Sequence, residues 1–120
     1  MAVAISFGND AATTWLASNR LFAAFVSEAA KSQPENVAIR LELADAELVQ
    51  GIAFDEVLSR SPEIARQLAT TLADVAEGIA NGTRRLPEVA VPHSANETVM
   101  RLKFARLAEA LQYWLQTVKP

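Results

Sequence analysis

Residues 61–82 read SPEIARQLATTLADVAEGIANG, and this stretch decides the fold class. Ser61 supplies an oxygen to cap the first free amides of a helix, and Pro62 occupies the first turn, where a missing N–H costs nothing. Ile64, Leu68, Leu72, Val75 and Ile79 then return at steps of three and four and so share one side of a helix. Arg66, Thr70, Asp74 and Glu77 fall on the other side. Asn81-Gly82 provides the left-handed stop expected just past a helix end. The segment therefore predicts an amphipathic helix over 62–81.

The same signals recur on both sides of it. Upstream, Trp15, Phe22, Val26 and Ala29 share a face, with Phe25 widening it, which predicts a helix over about 10–31 capped by Asn9 or Asp10. Ser32-Gln33-Pro34-Glu35 has the form of a capping box and predicts a second helix over about 34–52. That helix carries two apolar sides: Val37, Leu41, Ala44, Leu48 and Ile52 on one, and a weaker stripe of Ile39, Leu43 and Ala46 opposite. Gly51 marks a weak point, and Asp55 to Arg60 reads as a short separate turn. Downstream, Ser94-Ala95-Asn96-Glu97 opens a last helix over about 95–118, with Met100, Phe104, Leu107, Leu111, Trp114, Leu115 and Val118 as its buried stripe. Between them, Thr83 to His93 holds Pro87 and Pro92 and reads as a crossover.

The expected architecture is all-α: one domain over 1–120, a four-helix bundle of regular or irregular form, with a Pro-containing crossover before the last helix. The sole strand candidate, Val3 to Phe7, would pair with Glu88 to Val91. Composition agrees with a folded domain, since 120 residues with 51% hydrophobic and 21% charged side chains suffice for one core. Met1 to Phe7 lacks the basic start and length of a signal sequence, and no apolar run is long enough to span a bilayer. A cytoplasmic protein without a membrane partner is the resulting expectation.

The supply of reactive side chains is small. There is no cysteine and only one histidine, His93. Thiolate sites and histidine-based zinc or di-iron sites are thus removed, and no phosphate-binding glycine loop or nucleophile elbow occurs. His93 sits in a Pro-His-Ser loop entry, unlike the mid-helix histidine of a phosphotransfer domain. No enzyme, cofactor or metal is expected; Glu42 with Asp45 is a carboxylate pair commonplace on helices.

Charge is distributed unevenly. Glu35 to Glu56 holds six acidic residues against Arg40, whereas Arg84 to Arg106 holds five basic residues against two acidic ones. The leading expectation is a non-catalytic protein-interaction module, an adaptor, regulator or immunity-type inhibitor, acting through Ile39, Glu42, Leu43, Asp45, Arg84 and Arg85. Its partner would be another protein or a second copy, with Ile39 and Leu43 in a homodimer interface. The alternative is a small-ligand domain with an apolar pocket between helices, lined by Trp15, Asn19 and Trp114. Third comes nucleic-acid binding through Arg84, Arg85, Arg101, Lys103 and Arg106, disfavoured by a net charge of −3.

Overall fold

A computed structural model of the chain describes residues 2–7, 14–86 and 97–118. Its elements run β1 (Ala2–Ser6), β2 (Trp15–Ser18), α1 (Asn19–Ser32), α2 (Val37–Val49), β3 (Gly51–Ala53), α3 (Phe54–Arg60), α4 (Pro62–Asn81) and α5 (Glu97–Thr117). The protein is mostly helical, as the apolar periodicity requires. It is not purely α, however: a three-stranded sheet of order β2-β1-β3 packs with the helices, so the four-helix bundle gives way to a mixed architecture.

α4 follows its sequence signals from end to end. Ser61 Oγ accepts the Ile64 N–H at 3.3 Å, Pro62 opens the first turn, and Gly82 closes the helix at φ 85°. The Arg84 N–H then reaches back to the Gly78 carbonyl at 3.0 Å, which satisfies an acceptor the helix end leaves open. Ala65, Leu68, Leu72, Val75 and Ala76 are all buried, so α4 is the central helix. Its alanines let neighbours approach closely. On α5, Met100, Phe104, Leu107, Leu111 and Trp114 face inward as the spacing predicts.

The first helix begins nine residues later than expected, at Asn19. Ser18, not Asn9 or Asp10, is its cap: Ser18 Oγ accepts the Leu21 N–H at 3.2 Å. Trp15 to Ser18 instead alternate buried and exposed, the period of a strand. β1 lies antiparallel to β2, with Val3 opposite Ala17 and Ile5 opposite Trp15, and parallel to β3, with Ile5 beside Ile52. Those five side chains form the buried face of the sheet. The strand expected at Val3 to Phe7 is therefore present within Ala2–Ser6, but its partners are β2 and β3; residues 88–91 and His93 lie outside the described residues.

The second helix is shorter than 34–52. Ser32 belongs to α1, where its Oγ donates to the Ala29 carbonyl at 2.6 Å, so it does not cap α2. Asn36 takes that role: its Oδ1 accepts the Ile39 N–H at 3.1 Å while its Nδ2 donates to Gln67 Oε1 at 3.2 Å. At the other end Gln50 turns left-handed, at φ 59°, and Gly51 enters β3. A Cβ on Gly51 would stand 2.9 Å from the Ala4 carbonyl oxygen, so glycine is what lets β3 close on β1.

Two aromatic groups brace the interior. Trp15, Phe25 and Phe104 pack with centroids 5.2 to 6.2 Å apart, and the Trp15 indole N–H donates to the Lys103 carbonyl at 3.0 Å. Phe54 packs against Trp114 at 4.9 Å and stacks on Phe7 at 5.3 Å. Among the described residues, no helix is long and apolar enough to cross a membrane.

Candidate functional site

α2 is where the structure and the sequence part most usefully. Within α2 both apolar stripes exist but trade places, while Ile52, the last member of the longer one, is buried in β3. Ile39 (0% exposed), Leu43 and Ala46 enter the core beneath the helix. Val37, Leu41 and Leu48 point outward, 64%, 66% and 83% exposed, and Ala44 is exposed between them. The expectation that Ile39 and Leu43 form a surface for a partner is thus corrected, because both are consumed in packing the chain's own interior. The reason is tertiary. The Asn36–Gln67 hydrogen bond holds the start of α2 to α4, and an Arg60–Glu42 ion pair at 3.0 Å holds its side to α3. These exposed contacts sit at the edge of the packing, and the burial of Ile39, Leu43 and Ala46 in the shared core sets which way the helix is turned.

The outward residues 37, 41, 44 and 48 are separated by steps of four, three and four, a mean of about 3.7, close to the 3.6 residues of one helical turn, so they run nearly straight along the helix as a seam. Beside the seam, α2 and α1 enclose a shallow groove of about 420 Å³. Its floor includes Val26, Ala30 and Leu43, and Arg40 and Glu47 stand at its α2 wall. Arg40 donates to the Pro34 carbonyl at 3.2 Å, which steadies its stem at the groove's end. The seam is therefore apolar along its centre, with Arg40 and Glu47 on the α1 side and Asp45 followed by exposed Val49 on the other.

The remaining named residues are scattered. Glu42 is committed to Arg60, whose guanidinium it holds above the ordinary arginine range, first through their hydrogen bond and then through its charge. Arg84 pairs with Glu28 at 3.3 Å and lies over Gly78, whereas Arg85 is exposed just beyond. Neither ion pair joins the acidic stretch to the basic one. Of the five cations expected to act together, Arg84 and Arg101 gather at the carboxyl end of α4, Arg101 lying over Gly82. Lys103 and Arg106 border β2 instead, the Lys103 ammonium 5.4 Å from the Trp15 ring centre. They do not make one surface.

The three residues expected to line a ligand pocket separate as well. Asn19 is exposed as the first residue of α1, ahead of the buried residues that begin at Leu21. Trp15 and Trp114 serve different aromatic groups. A groove of about 560 Å³ does run between β2 and α5, past Trp15, Leu16, Leu102 and Arg106, but neither Asn19 nor Trp114 borders it. Among the described residues, no cluster of three or more histidine, cysteine, aspartate or glutamate side chains is placed to hold a metal ion. The chain matches no protein-family model, no curated protein and no solved structure.

Proposed function

We propose that this chain is a non-catalytic protein-interaction module, of adaptor, regulator or inhibitor type, that docks a protein partner on the outward seam of α2. The observation that carries the reading is Leu48, 83% exposed in line with Leu41 and Val37 on a helix whose other side already fills the core. Single exposed hydrophobic residues are ordinary, but several in register along one helix form a stripe that water penalises until something covers it. Charged residues along both flanks complete the usual layout of a docking surface, an apolar centre inside a polar rim.

The absence of cysteine from the chain makes the test clean. A photoreactive group attached to Leu41→Cys or Leu48→Cys should yield protein adducts in the source cell's extract, while the same group on Tyr113→Cys of α5 should not. Excess unlabelled chain should compete away adducts with proteins of different mass, and a Leu41→Asp/Leu48→Asp chain should fail to compete. Equal labelling from all three positions, or competition by the double variant, would overturn the reading.

A further inference from the structure

The partner that best fits the seam is a second copy of the chain: we infer that α2 packs antiparallel against α2 of another molecule. This deepens the docking proposal and rests on it. The argument is one of self-complementarity, since a two-fold interface must satisfy itself with a single set of residues. When two α2 helices run antiparallel about a dyad between Glu42 and Leu43, Val37 of each lies against Leu48 of the other and Leu41 lies against Ala44. The 4-3-4 spacing supports this pairing over the whole seam, with large residues meeting small ones at its centre.

The flanking charges follow the same symmetry. Arg40 and Glu47 lie on one flank, seven residues apart, and the antiparallel pairing sets Arg40 of each copy beside Glu47 of the other, twice per dimer. On the other flank Asp45 meets Ala38, so no carboxylate faces another across the seam. The acidic character of this region is thus compatible with self-association in this one arrangement. Glu42, which would add repulsion, is turned aside by its ion pair with Arg60.

Size sets the strength. A helix of thirteen residues is about 20 Å long, and burying one side of it on two copies removes on the order of 1,000 Å² in total, the class of weak, reversible interfaces. A dissociation constant in roughly the micromolar range is expected.

Sedimentation velocity from about 1 to about 500 μM spans that range. The wild-type chain should pass from monomer to dimer. Arg40→Glu sets Glu against Glu47 and Glu47→Arg sets Arg against Arg40, so each variant alone should dimerise roughly tenfold more weakly. Mixed in equal amounts, the two become complementary at both contacts and should form a heterodimer at the wild-type concentration. Both positions are exposed, and circular dichroism checks that each variant keeps its fold. A wild-type chain that stays monomeric to the highest concentration, variants that dimerise like wild type, or a mixture that does not recover overturns the inference. If the chain is monomeric while Leu48→Cys still captures a protein of different mass, self-association falls and the docking reading stands.

Discussion

Removing the same number of carbon atoms from opposite sides of α2 should have very unequal consequences. Ile39→Ala and Leu48→Ala each trim a branched side chain to a methyl group, yet Ile39 is 0% exposed and Leu48 is 83% exposed. At about 0.8 kcal/mol per buried methylene, the transfer term for Ile39 is about 2.4 kcal/mol. The cavity left among rigid neighbours raises the total to about 3 to 4 kcal/mol, within the range found for large-to-small core changes. For a chain of this length that lowers the melting midpoint by about 10 to 20 °C. Leu48→Ala removes little buried area and replaces leucine by a better helix former, so its cost should stay under about 0.5 kcal/mol. Thermal and urea unfolding at about 1 μM reads both without interference from association. If Leu48→Ala were the damaging change, or if Ile39→Ala were neutral, α2 would be turned the other way and the docking seam would not exist.

Three further outcomes follow from single contacts. Gly51→Ala should cost about 1 to 3 kcal/mol, because its Cβ would press on the Ala4 carbonyl at 2.9 Å and backbone cannot swing aside; faster hydrogen exchange in β1 and β3 locates the damage. Trp15→Phe keeps the ring among Phe25 and Phe104 but loses the 3.0 Å indole bond to Lys103, so chemical denaturation should show a loss of about 1 kcal/mol. Arg60→Gln should lower the melting midpoint by a nearly constant amount between about pH 6 and about pH 9. Glu42 raises the arginine's folded pKa, so the arginine's share of the stabilisation is whole throughout this window and is lost only as pH climbs through the folded value, far above it. A slope change near neutrality in a pH series of melting curves would contradict that assignment.

What the sequence discloses depends on how local the deciding interaction is. α4 is legible to the residue because Ser61, Pro62 and Gly82 act within a turn of its ends. α5 is legible for the same kind of reason, its inward stripe being set by spacing alone. The start of α1 is not: Trp15 stands seven residues before Phe22 and so fits a helical face, although its neighbours Leu16, Ala17 and Ser18 alternate as a strand. The sheet itself is held by pairs such as Ile5 with Ile52, distant in the chain, and β3 is only three residues long, too short to show a period. For α2 the sequence reveals two stripes and no means of ranking them. The longer stripe looks like the core-facing one. The packing of Ile39, Leu43 and Ala46 against residues distant in the chain decides the reverse.

That reversal bears directly on function. A helix needs one apolar face to join a core, and Ile39, Leu43 and Ala46 already provide it. Folding gains nothing from leucine at 41 and 48, since lysine, glutamine or glutamate would hold the helix about as well and would suit water better. Leaving two leucines and a valine exposed in line forgoes roughly 1.5 to 3 kcal/mol of burial for each side chain that remains wet. Three other exposed hydrophobic residues, Leu16, Val99 and Leu102, border a groove whose walls also carry Lys103 and Arg106, so charge interrupts that apolar surface. Among the described residues, α2 carries the apolar seam whose charges stand at its edges. In the proposed dimer, Arg40 and Glu47 repeated across the dyad would give the cover of this seam its direction.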